Sequence, residues 1–117
     1  MTRLFVYGTL KRGCRSHRLL ENQLCLGETR TVPGFRLYHL GEFPGMVRMP
    51  DYPSSVSGEV YLVDDDCLSA LDSFEGVDEG LFSREWVQLE PPAEAAQGYL
   101  YLPDTKGRQP LEGAWIE

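Results

Sequence analysis

Glu75 is the residue whose placement best suits chemistry. The stretch Cys67 to Phe74 follows three aspartates, Asp64 to Asp66, and reads as a helix that begins near Asp65 behind a carboxylate N-cap, with Gly76 as its stop. On that helix Glu75 follows Leu68 by seven positions and Leu71 by four, which puts it on the apolar stripe. A carboxyl there is costly to ionise, so its pKa rises toward the range where one group can take a proton and later return it. The same spacing fits a frayed last turn with Glu75 facing water. It also fits an ion pair with Arg84, which would lower the pKa instead.

The second constellation is Tyr7-Gly8-Thr9-Leu10, a strand end breaking into a glycine-containing turn. Successive amides in such a turn can converge on a carboxylate or a developing oxyanion, although an ordinary strand-ending turn has the same sequence. No GxxxxGK[ST] or GxGxxG pattern occurs, so this is not a phosphate loop. Cys14 and His17 are three apart with no second pair of ligands after them, which reads as a surface helix start rather than a metal site. His39 reads as a sheet residue, and neither a GxSxG elbow nor a local Cys-His signature appears. A catalytic metal or cofactor is not expected.

These residues need a scaffold, and the chain punctuates one. Arg3 to Tyr7 reads as a buried strand, and Ser16 to Leu24 as a short helix from the spacing of Leu19, Leu20 and Leu24. Gly34 to Leu40, Gly45 to Met49 and Val56 to Val63 read as successive antiparallel strands. In the last of these, Val56, Gly58, Val60 and Leu62 share one face, and Ser57, Glu59, Tyr61 and Val63 the other. Beyond the Asp65 helix, Phe82 to Leu89 and Gly98 to Leu102 are further strands, and the tail after Pro103 reads as irregular. The helices are too few to cover both faces of a parallel sheet, so the expectation is an α+β domain around a strongly curved or barrel-like sheet.

Composition sets the outer bounds. The 117 residues, 42% hydrophobic and 25% charged, suit one domain spanning 1–117 with a radius of gyration of about 13 Å. Lysine and arginine number 11 against 18 aspartate and glutamate, a net charge of −7 that repels nucleic acid and anionic membrane surfaces. Three cysteines without CxxC spacing suit reduced thiols, and Met1 to Tyr7 has no export pattern, so a cytoplasmic protein is expected. The longest apolar runs fall far short of the ~20 residues needed to span a bilayer.

Three separated segments together resemble one family. Leu4 to Gly13 is similar to an opening FVYGTLxxG signature, and Gly58-Glu59-Val60-Tyr61 to a GEVY strand. Leu71 to Gly76 with Gly80 to Arg84 is similar to an LDxxEG…GxYxR segment. These are marks of the γ-glutamylcyclotransferase-like group, and within it of the small γ-glutamylamine cyclotransferase type. The resemblance implies a small mixed β-barrel with two to three flanking helices, and a cavity where the YGTL loop meets a carboxylate that falls at Glu75. It implies cofactor-independent closure of a small γ-glutamyl substrate to 5-oxoproline with release of an amine. Glu75 would be the catalytic group, Tyr7, Gly8, Thr9 and Leu10 would hold substrate, and Phe82 and Tyr101 would line the pocket. Arg84 would brace the loop after Glu75. Phe82 replaces the family's usual tyrosine, which removes a hydroxyl from the expected site. The alternative is a catalytically silent barrel that uses the same cavity to bind a small carboxylate or a protein partner. A monomer is the favoured state.

Overall fold

The computed structural model describes residues 1–117. Its strands are β1 (Thr2–Val6), β2 (Leu24–Arg30), β3 (Phe35–His39), β4 (Pro44–Arg48), β5 (Ser57–Val63), β6 (Phe82–Val87), β7 (Ala96–Tyr101) and β8 (Gln109–Leu111). One α-helix, α1 (Asp65–Phe74), and one 3-10 turn (His17–Leu20) accompany them. The radius of gyration is 13.1 Å. All eight strands belong to one curled sheet in the order β2-β5-β1-β7-β4-β3-β8, with β6 on the other edge of β7.

β1 is central because its sequence has no polar side to offer. Phe5 and, just past the strand, Tyr7 enter one core with Leu37, Met46, Val60 and Leu100. Leu4 and Val6 enter a second core with Leu20, Tyr61, Leu71 and Phe82 on the helix side of the sheet. A strand covered on both faces requires such a run. β5, with Val56 just before it, divides in the same way: Val56 and Val60 lie in the first core and Tyr61 and Val63 in the second, following the expected alternation.

The sheet splits along one edge of β7. β1 runs parallel to β7 through the pairs Leu4–Gln97 and Phe5–Gly98, and β4 then takes over that edge, also parallel, at Met46–Leu100. The Tyr7 hydroxyl closes the split. It donates to the Tyr99 carbonyl at 2.6 Å and accepts from the Met46 amide at 3.1 Å, joining β7 to β4 where β1 departs. The chain leaving β1 is therefore turned out of the sheet at Gly8.

The α+β class and the curved sheet agree with the sequence reading, with four local corrections. β5 does not continue an antiparallel run from β3 and β4: it pairs with β1 and β2, while β4 pairs with β3 and β7. Ser16 to Leu24 is not a helix: only the four residues of the 3-10 turn are helical, and Leu24 opens β2. Leu24 is 60% exposed, so the leucine spacing did not mark a buried stripe. The open edge of β5 captures this segment into an antiparallel ladder with an irregularity between Cys25 and Gly27. The tail is not wholly irregular, since Gln109–Leu111 pairs with β3. The helical complement is thus one α-helix and one 3-10 turn, in place of two to three helices.

Candidate active site

Helix α1 is fixed at both ends by its own sequence. Asp64 accepts the Cys67 amide at 2.7 Å as N-cap, with Asp65 and Asp66 at the positive pole of the helix. At the other end Glu75 is the C-cap, its amide donating to the Leu71 carbonyl at 2.9 Å. Gly76 follows at φ +69°, with Gly76 N–H bonded to Ser73 O at 3.1 Å and Val77 N–H to Asp72 O at 3.0 Å. This pair of bonds is a Schellman closure, and its left-handed residue is what glycine supplies. The carboxylate of Glu75 therefore projects from a rigid corner.

That corner walls a cavity of about 320 Å³. Burial pushes the Glu75 carboxyl up to about 7, and no protein donor offsets the effect. The pairing of Glu75 with Arg84, one alternative from the sequence, does not form. Arg84 instead grips Asp72 through Nε at 2.9 Å and Nη2 at 3.0 Å, and the Tyr99 hydroxyl donates to the same carboxylate at 2.7 Å. Burial raises the Asp72 carboxyl, but these bonds outweigh it and hold the group below the ordinary carboxylate range. The result is a brace from α1 to β6 and β7, one helical turn before Glu75.

The turn after β1 forms a second wall of the cavity. Its carbonyls are each engaged: Gly8 O accepts from Lys11 N at 3.1 Å, Thr9 O from Ser16 N at 2.9 Å, and Leu10 O from His17 Nδ1 at 2.9 Å. The amides of Gly8, Thr9 and Leu10 donate to no acceptor within the fold. The Gly8–Thr9 and Thr9–Leu10 peptides thus have pinned oxygens and unspent N–H groups, a ready acceptor for negative charge, and the Gly8 N–H is unspent beside them. Gly8 also permits close packing, because a Cβ at that position would lie 2.9 Å from Pro44 Cγ.

Of the residues singled out from the sequence, Tyr7, Gly8, Thr9, Leu10, Glu75 and Phe82 line this one cavity. Tyr101 does not. It stands behind Phe82, ring centroids 5.4 Å apart, and supports that ring from outside. Tyr7 lines the cavity, but its hydroxyl is committed to the sheet, and burial followed by the charge of Glu75 raises its pKa. Tyr99 was missed. Its spacing from Tyr101 puts both on one face of β7, and only the pairing with β6, Tyr99 opposite Arg84 and Tyr101 opposite Phe82, separates their roles. Arg15, Glu42 and Phe43 also reach the cavity, from loops whose course no local pattern specified.

Comparison with known proteins places this arrangement. Residues 4–117 match the family described as gamma-glutamyl cyclotransferase, AIG2-like. The chain is 34% identical over 116 residues to the gamma-glutamylaminecyclotransferase of Rattus norvegicus, covering 86% of this chain and 77% of that one. It is 31% identical over 116 residues to the gamma-glutamylcyclotransferase family protein YtfP of Escherichia coli, covering 98% and 96%. The crystal structure of an AIG2-like protein from Mus musculus superposes with a TM-score of 0.74 at 31% identity, covering 92% of this chain and 80% of that one. The curled sheet, the glycine turn and the carboxylate at the end of α1 thus sit in a chain that belongs to the AIG2-like gamma-glutamyl cyclotransferase family.

Proposed function

We propose that this protein converts a γ-glutamyl amine or γ-glutamyl amino acid to 5-oxoproline and a free amine, with Glu75 as the group that moves the proton. The observation that carries the reading is a desolvated carboxyl, pushed up to about 7, lining the same small cavity as Gly8, Thr9 and Leu10, whose amides have no acceptor in the fold. Family membership supports chemistry of the γ-glutamylcyclotransferase type; the choice among leaving amines is part of the proposal.

The substrate's α-ammonium first loses a proton to solvent. The neutral amine then attacks the γ-carbonyl carbon of the same residue and gives a second proton to the Glu75 carboxylate, forming the lactam C–N bond and a tetrahedral oxyanion. Collapse of that centre breaks the original amide C–N bond, and Glu75 returns the proton to the departing nitrogen. One carboxyl near neutrality serves both transfers. The amides of Gly8, Thr9 and Leu10 receive the negative charge, either of the glutamyl carboxylate or of the oxyanion. Because nucleophile and electrophile share one chain, holding that chain folded supplies a large part of the acceleration.

The test is a product-resolved assay over γ-glutamyl-lysine, γ-glutamyl dipeptides and glutathione. Wild-type protein should release 5-oxoproline, with kcat/KM rising through pH ~7 as the free carboxyl ionises and then levelling. Glu75→Gln should lower turnover by roughly 10²- to 10⁴-fold. Undiminished turnover in that variant would end the assignment, and glutamate as the product would replace cyclotransfer with hydrolysis.

A further inference from the structure

Three charged side chains line the cavity: Glu75, and at its rim Arg15 and Glu42. Arg15 is the only cation among them, and its side chain is 47% exposed. Its main-chain amide and Nε donate to the Glu117 carboxylate at 2.8 and 3.3 Å, and Trp115 Nε1 bonds the same carboxylate at 3.1 Å. Its Nη2 donates to the Glu42 carbonyl. Two flanks of the guanidinium are therefore held, while Nη1 has no partner in the fold. An arginine fixed in this way has already lost side-chain freedom, and its Nη1 N–H groups remain free to donate to a carboxylate.

The position of this group decides which carboxylate it meets. With the glutamyl amine and γ-carbonyl against Glu75 and the Gly8–Leu10 turn, the part of the substrate that departs extends toward the rim. A net charge of −7 gives anions no general attraction to the surface. The exposed Glu42 carboxylate adds local repulsion, so an anionic leaving group needs direct contact with Arg15. The geometry points to Arg15 as the residue that selects the leaving group, by taking a carboxylate on the departing amine. On this account γ-glutamyl conjugates of amino acids are preferred over those of uncharged or cationic monoamines. The inference rests on the cyclotransfer reading only for the direction in which substrate lies.

Binding to the Glu75→Gln protein tests it without turnover. The ligands are γ-glutamyl-alanine and γ-glutamyl-alaninamide, which differ in one charge at the leaving end. The acid should bind about five- to tenfold more tightly than the amide. Adding Arg15→Gln should erase that preference, Arg15→Lys should restore part of it, and Arg108→Gln, at an exposed arginine outside the cavity, should leave it intact. Equal affinity for the two ligands before the Arg15 change would overturn the assignment. So would an equal loss of both on Arg15→Gln, which would place the guanidinium on the glutamyl carboxylate instead. Failure of the cyclotransfer reading would show separately, as 5-oxoproline made at an undiminished rate by Glu75→Gln protein or none made by wild type.

Discussion

Asp72 and Glu75 stand one turn apart at the end of the same helix and are driven in opposite directions by their surroundings. Asp72 receives a two-pronged contact from Arg84 and a hydroxyl from Tyr99, which together overcome its burial and keep it ionised. Glu75 receives no donor, and burial alone carries it up to about 7. The first carboxyl anchors the helix end, and the second is left with a proton it can exchange. Divergent environments for neighbouring carboxyls are how one fold separates an acid held ionised from one whose proton exchanges near neutrality.

The raised Glu75 carboxyl has a sign that thermal melts can read. Its folded value lies above its ordinary one of 4.5, so the folded state holds its proton longer than the unfolded chain does. The stability this provides is complete below pH ~4.5 and is lost as pH rises through about 7. Glu75→Gln, which mimics the protonated group, should match wild type near pH 4.5. It should become more stable by on the order of 2 kcal/mol above neutrality, allowing for the carboxyl's remaining solvent contact. Parallel stability curves across this range would contradict the burial of the group.

Breaking the brace should affect both stability and rate. Asp72→Asn removes the charge that Arg84 grips, and a loss of about 1 to 2 kcal/mol is expected at pH 7. Since Asp72 is held below the ordinary carboxylate value, its contribution is present above pH ~4 and disappears as pH falls through its lowered pKa. The gap between variant and wild type should close in that acid range. With the helix end freed, kcat of the proposed reaction should fall roughly tenfold to a hundredfold.

Tyr7→Phe should weaken the junction of β7 with β4 rather than the chemistry. It strips a partner from the buried Met46 amide and from the Tyr99 carbonyl together, at a cost of about 2 to 4 kcal/mol. Hydrogen exchange at the Met46 amide should accelerate in step with that loss. An unchanged exchange rate would mean that the split in the sheet is closed by other contacts.

Much of this arrangement is readable from sequence where the signals are local. The Asp64 cap, the Leu68–Leu71–Glu75 stripe and Gly76 lie within thirteen residues, and they define α1 without outside help. The strands β1 and β5 are equally plain, one from its unbroken apolar run and the other from its alternation. β2 is not, because five of its seven residues are exposed and its state is imposed by the free edge of β5. β8 is hidden by its three-residue length and by Pro110, which an edge strand tolerates. Glu75 emerged because helical periodicity placed it inward. Tyr99 and Arg15 depend on strand register and loop course, which are settled only once the sheet has closed.

The alternation along β1 limits what this chain can tolerate. Successive residues from Leu4 to Tyr7 serve two different interiors, aromatic rings on one side and aliphatic groups on the other. One extra residue spliced in here would swap the occupants of both interiors at a stroke and deliver Gly8 facing the wrong way. The opening seven residues are therefore a ruler as well as a strand: side chains can be exchanged for others of similar bulk, but the count between Leu4 and Gly8 cannot change.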